Sequence, residues 1–198
     1  MVILALVALI SGILCGLIID NTFITFITSN TDVVLYILMF LVGISIGLHE
    51  GILKKIKEYH FKIFIIPAGI IVGSLVGGVI CSFITEYSMN ESTAVASGLG
   101  WYSLAGVTIG NLVSAQLGSI AFLSSLMREI FSFFSIPIIS KKLNYFSCIA
   151  PAGATSEDTT LPMMIKYTNE ETVVLSVLNG IICSSAVPIL ISLCFRLF

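Results

Sequence analysis

A chain of 198 residues, 57% of them hydrophobic and only 10% charged, with a mean hydropathy of +1.10, lies far outside the range of soluble globular domains, because no water-bounded core absorbs that much apolar surface. The formal net charge of −2, with basic residues that form no extended face, excludes a nucleic-acid or strongly acidic partner. Cys15, Cys81, Cys148, Cys183 and Cys194 fall in or beside apolar segments with no CxxC or Cys/His spacing, which reads as packing and argues against a metal site or a disulfide framework.

In chain order, positions 2–19 form the first apolar run, with no basic region before it and no small-residue cleavage site after it, so a retained helix is predicted rather than a signal peptide. Positions 33–48 form the second and 63–84 the third. Lys54, Lys55, Lys57 and Lys62 crowd the loop between these two, whereas Asp20, Asp32, Glu86 and Glu91 mark neighbouring loops free of Lys and Arg. The positive-inside rule then predicts a cytoplasmic N-terminus and, with an odd number of crossings, a C-terminus outside. Positions 117–139, which carry charge, and 173–195 complete five continuous spans. Each approaches the roughly 18 to 20 residues that cross a hydrocarbon core. A barrel would require short alternating segments instead.

Two stretches of different character lie between these spans, 93–113 and 148–164. Both are dense in Gly, Ser, Thr and Ala, and the second holds Pro151, Gly153 and Pro162. Irregular backbone at membrane depth survives only where protein or water satisfies its polar groups, so such stretches line cavities. Re-entry would put Lys141 and Lys142 on the cytoplasmic side, in keeping with the charge rule; full crossing as broken helices is favoured by length. The predicted fold is an all-α polytopic membrane protein, five continuous spans plus two broken or re-entrant polar helices. Residues 1–198 form a single transmembrane transporter domain, part of an inverted-repeat transporter.

The candidate chemistry begins in the fourth span, where Arg128 and Glu129 fall near mid-membrane and each charge costs several kcal/mol. Helical spacing puts Ser125, Glu129 and Ser132 on one face, with Ser124, Arg128 and Ser135 beside it. Adjacent helix positions point about 100° apart, so Arg128 and Glu129 need separate partners. In the second polar stretch Thr155, Ser156, Glu157, Asp158 and Thr159 lie between prolines. They read either as an unwound helix centre that replaces the hydration of an ammonium group or as an exposed acidic turn. Trp101 and Tyr102 read as a pocket wall with a cation–π face, or as an interfacial anchor.

Taken together, Gly100-Trp101-Tyr102-Ser103, Ala121-Phe122-Leu123, Arg128-Glu129, Gly153-Ala154-Thr155-Ser156, Asp158-Thr159-Thr160-Leu161-Pro162 and Val187-Pro188 resemble the lysine exporter LysO family, in the family's order across most of the chain. The resemblance implies export of L-lysine or a similar cationic amino acid across the inner membrane, with Glu129 as the family's intramembrane carboxylate; because an inside-negative potential opposes the exit of a cation, proton antiport is the expected coupling. It implies as partners the amino acid, protons, the lipid bilayer and a small companion membrane subunit or a second copy, and no cofactor. Glu157 departs from the family pattern, which has an apolar residue before Asp158. The resemblance also implies that the N-terminal portion of full-length relatives is missing here. Two readings compete. An intramembrane hydrolase finds no HExxH, GxSxG or GxGD arrangement, and His49 and His60 fall outside the spans. A non-transporting assembly subunit merges with the first reading if the transporter is made of two pieces.

Overall fold

The computed structural model describes residues 62–197 continuously and residues 7, 11, 12, 14–16, 33, 37, 40 and 44 singly. The chain divides into two compact units, 1–49 and 50–198. The described residues of the first unit are all helical and exposed; the remainder of the predicted spans 2–19 and 33–48 lies outside the described residues. The second unit is predominantly helical over its described length and contains no strand there. Three of its helices, Ile63–Ile84, Ala115–Lys142 and Glu170–Arg196, are long and apolar enough to cross a membrane. The molecule is an all-α membrane protein.

Helix α1 (Lys62–Ile84) runs 23 residues, about 34 Å at the helical rise. Its Phe64, Ile65, Val72, Val76, Ile80 and Phe83 are exposed, as expected of a surface bathed in lipid rather than water. After a short turn, α2 (Met89–Ala96) starts at Ser88. The Ser88 backbone N–H donates to the Glu91 carboxylate at 2.9 Å and its hydroxyl donates at 2.6 Å, holding the Glu91 carboxyl below its ordinary value. The helix stops at a turn in which Leu99 (φ 50°) and Gly100 (φ 104°) are left-handed, and α3 (Tyr102–Leu112) follows.

A connection of two residues, Val113 and Ser114, then leads into α4 (Ala115–Lys142). The Ser114 hydroxyl accepts from Leu117 N–H at 3.2 Å and caps α4. Glycines let α3 and α4 approach closely: a Cβ at Gly118 would stand 2.5 Å from the Gly106 carbonyl oxygen and 2.6 Å from Gly110 Cα. Both obstacles are backbone, so Gly118→Ala is expected to lower stability by about 1–3 kcal/mol, read as a fall in the thermal unfolding midpoint in detergent. An unchanged midpoint would mean that the two helices are not held this close.

Helix α4 has the polarity of a membrane helix turned inside out relative to a soluble one. Leu123, Met127, Phe131, Phe134 and Ile138 are exposed, while Ser125, Glu129, Ser132 and Ser135 are buried. Beyond α4 come a 3-10 turn (Phe146–Cys148), a single helical turn α5 (Ile149–Ala152), a second 3-10 stretch (Gly153–Glu157) and α6 (Leu161–Tyr167). The final helix, α7 (Glu170–Leu197), starts where Asn169 Oδ1 accepts from the Thr172 N–H at 3.0 Å and its hydroxyl at 2.6 Å. The stretch 148–164 is thus broken between α5 and α6, where Pro151, Gly153 and Pro162 oppose a continuous helix.

The first polar stretch dips in and returns. The Gln116 amide donates to the Tyr87 hydroxyl at 3.5 Å, and Thr85 and Tyr87 share a groove with Leu117 and Ile120. At the other end of α1, Ile65 and Ile66 share a groove with Asn144, Phe146 and Ser147, just beyond α4. Helices α1 and α4 are therefore antiparallel, and α2 and α3 leave from and come back to one end of them. Length favoured a crossing for this stretch, but a re-entrant helix pair uses the same number of residues. The start of α1 and the Lys141–Lys142 end of α4 consequently lie at one end.

Candidate functional site

The two broken segments meet halfway along α1 and α4. A helix end leaves its last carbonyls without intrahelical donors, and here that shortage is resolved between segments 55 positions apart. In a continuous helix the Ala154 N–H would serve the Ala150 carbonyl; instead it donates to the Leu99 carbonyl of the other break at 2.9 Å. The stranded carbonyls at the end of α5 go to Arg128. Its Nε donates to the Pro151 carbonyl at 3.1 Å and its Nη2 to the Ala150 carbonyl at 3.2 Å, while Nη1 reaches across to the Ser74 hydroxyl of α1 at 2.9 Å. A guanidinium laid on the carbonyl end of a helical turn opposes the negative pole there. Gly153 must be glycine for this to work: at φ 59° an added Cβ would collide with the Leu99 carbonyl oxygen and stand 3.0 Å from Arg128 Nη2.

Helix α7 clamps the second break from the opposite side. Ser156 and Ser176 exchange reciprocal hydrogen bonds, each hydroxyl donating to the other's carbonyl, at 2.8 and 2.7 Å. Asn179 Nδ2 donates to the Gly153 carbonyl and to the Ser156 hydroxyl, both at 2.9 Å. Glu157 is half-buried, accepts from the Ser184 hydroxyl at 2.9 Å, and lies over Gly180, where a Cβ would come within 2.5 Å of its own.

Glu129 stands apart from all of this. Its side chain is 0% exposed, and neither carboxylate oxygen has a hydrogen-bond partner among the described residues. The Thr159 hydroxyl, also buried and unpaired among the described residues, stands close by outside hydrogen-bonding geometry, and Asp158 and Tyr102 are within electrostatic reach. Asp158 is exposed, and its carboxylate accepts the Thr159 backbone N–H. Tyr102 opens α3, half-buried, with its ring edge-on to Phe122 at 5.2 Å. An uncompensated buried carboxylate is strongly unfavourable. The buried position therefore suits a carboxyl that a proton or an ammonium neutralises.

Several candidate residues have structural duties instead. The Thr155 hydroxyl donates to the Ala152 carbonyl at 2.9 Å, and the Ser132 hydroxyl to the Glu129 carbonyl at 2.6 Å. Ser156 belongs to the α7 clamp. Ser125 is buried where Gly98 leaves room for it, with only 2.8 Å between its hydroxyl oxygen and a Cβ built at Gly98. Trp101 is half-buried at the start of α3. The groups drawn together around Glu129 are Tyr102, Asp158 and Thr159; Arg128 serves the crossing, and Glu157 faces α7. Ser74, Asn179 and Ser184 were not singled out by sequence. Asn179 was detectable in principle as an amide inside an otherwise apolar span, whereas a serine in a membrane helix carries little signal because its hydroxyl bonds equally well within its own helix.

A family model described as the lysine exporter LysO matches residues 6–195. The Escherichia coli (strain K12) protein named lysine exporter LysO is 33% identical over 187 residues, covering 90% of this chain and 62% of that protein. The chain thus spans less than two thirds of that relative's length. A Haemophilus influenzae protein provisionally named a lysine exporter is 33% identical over 186 residues, covering 92% of this chain and 94% of that protein. No solved structure matches.

Proposed function

From its membership of the lysine exporter LysO family, to which this chain belongs, we propose that it exports L-lysine or a related cationic amino acid across the inner membrane in exchange for protons. The observation that carries this reading is Glu129, fully buried, with both oxygens unpartnered among the described residues, beside the crossing of two broken segments.

The energetics require coupling. Lysine leaves with a net positive charge, and an inside-negative potential opposes that by about 2.3 kcal/mol per charge per 100 mV. A proton entering as lysine leaves cancels the electrical term. One carboxyl that holds either a proton or the substrate ammonium performs the exchange, because the desolvation of an empty, charged carboxylate disfavours the state with neither. Asp158, at the surface next to Thr159, is the second carboxylate of the proposed route, and Tyr102 forms its wall. The Arg128 guanidinium already serves three acceptors, so the substrate carboxylate is received elsewhere, at the start of α3, where a helix N-terminus favours anions.

The proposed orientation places the start of α1 in the cytoplasm, supported by Lys54, Lys55, Lys57 and Lys62 and by Lys141 and Lys142 at the same end. We further propose that a small companion membrane subunit or a second copy completes the exporter. Gly12 and Gly16 support this: they lie four residues apart at exposed positions of the first unit, with no described atom of another element within 4 Å of their built Cβ positions, the spacing that lets transmembrane helices approach closely. Proteoliposomes loaded with radiolabelled lysine test the exchange. Efflux is expected to accelerate when the outside is made acidic relative to the lumen, and lysine release is expected to alkalinise the outside. Lysine efflux indifferent to the pH gradient would refute the coupling.

A further inference from the structure

We propose that the Arg128–Ser74 hydrogen bond is the closed gate between two half-channels that open at opposite ends of α1. Among the grooves in the described part of the 50–198 unit, one of about 780 Å³ and one of about 400 Å³ run along α1. The residues lining them have two members in common, Ser74 and Arg128. The larger groove follows the first half of α1, from Ile65 to Ser74, and is closed on its other side by Phe131, Asn144 and Phe146. The smaller follows the second half, from Ser74 to Thr85, and is closed by Ser92, Leu117 and Ser124. Because α1 spans the bilayer, the grooves reach opposite faces and stop against the same pair of side chains. The 2.9 Å bond from Arg128 Nη1 to the Ser74 hydroxyl is what lies between them.

The chemistry of the pair suits a barrier to cations. A fixed guanidinium at a constriction repels protons and ammonium groups arriving from either side, which an exporter holding a gradient requires. Through this bond Arg128 reaches α1; its other two partners, Ala150 and Pro151, belong to the broken segment. That segment continues into Asp158 and Thr159 beside Glu129. Moving Arg128 off Ser74 together with α5 therefore opens the partition and displaces the wall of the Glu129 site in one step. The inference rests on the transport reading, but its test does not use lysine.

Of the native thiols, Cys15 and Cys81 are exposed and the other three buried; Cys81 lines the smaller groove. Gly69 lines the larger, and a Cβ there meets nothing within 4 Å among the described residues. In oriented membrane vesicles a membrane-impermeant maleimide is added to one face at a time. With Cys15→Ser in place, Cys81 is expected to react from one face only. In a Cys15→Ser, Cys81→Ser background, the Gly69→Cys thiol is expected to react from the other face only. Adding Ser74→Ala should raise labelling from the wrong face roughly tenfold or more, the effect of losing a hydrogen bond to a charged group, and Ser74→Thr should restore one-sided labelling. If Ser74→Ala fails to accumulate, Arg128→Lys, which lacks the guanidinium fork, serves as the second variant with the same expected result. Two-sided labelling of either thiol in the parent, or wrong-face labelling unchanged by a folded gate variant, overturns the proposal. One-sided labelling in a protein that moves no lysine would leave the gate standing and remove the substrate assignment.

Discussion

Glu129→Gln is expected to reduce lysine efflux from proteoliposomes at least roughly 100-fold, to the level of empty vesicles, while the protein folds as well as before or better. Glutamine keeps the volume and polarity of the side chain but exchanges neither a proton nor an ion pair. The carboxylate oxygens have no partner to lose among the described residues, so no hydrogen bond is broken by the change. Removing a buried group whose charged form is strongly disfavoured leaves the thermal unfolding midpoint equal or raised. Loss of transport with preserved stability separates function from scaffolding. Asp158→Asn, at an exposed position, should have a smaller effect, confined to the pH dependence of efflux. Efflux by Glu129→Gln near the parental rate would dismiss the shared-carboxylate mechanism outright.

The second large effect is expected at Gly153. Its backbone sits at φ 59°, ψ −124°, a region that side chains other than glycine essentially do not enter, and alanine there would collide with the Leu99 carbonyl oxygen and press on Arg128. Backbone strain of about 1–3 kcal/mol adds to a packing clash of similar size, against a total domain stability of only about 5–15 kcal/mol. The Gly153→Ala protein should unfold at a much lower temperature in detergent and export nothing. Gly100→Ala tests the other break under milder conditions: its φ of 104° is equally restrictive, but a Cβ there meets its nearest neighbour at 3.4 Å, so the loss should be smaller. Equal midpoints for parent and Gly153→Ala would show that the crossing is not held by the contacts described.

Much of the architecture was readable from hydropathy alone, because in lipid the constraint is severe: a long apolar run has helix as its outcome. The inward face of α4 was also readable, since Ser125, Glu129 and Ser132 share one side of a helix whatever surrounds it. What escaped the sequence depends on pairings between distant segments. The reach of Arg128 to Ser74, 54 positions away, has no local signature. Nor does the left-handed turn at Leu99, which is an unfavourable choice locally and persists because the second break takes its carbonyl. The hydroxyls of Thr155 and Ser156 looked like ligands because composition does not reveal that backbone carbonyls claim them. Re-entry of the first polar stretch was hidden for a related reason: a residue count does not distinguish a hairpin from a crossing.

The exchange of donors between the two breaks also orders events at the membrane. When α2, α3 and α4 have left the insertion machinery, the Leu99 carbonyl still awaits the Ala154 amide, and Arg128 still awaits the carbonyls of Ala150 and Pro151. Orphaned backbone groups in hydrocarbon are costly, so the early re-entrant pair stays exposed to the translocon's aqueous lumen, or to a chaperone, until residue 154 is synthesised. Biogenesis is thereby a late, concerted closing of the centre. Nascent chains truncated between α4 and α5 should be recognised as unfinished and degraded, even though α1 and α4 are complete.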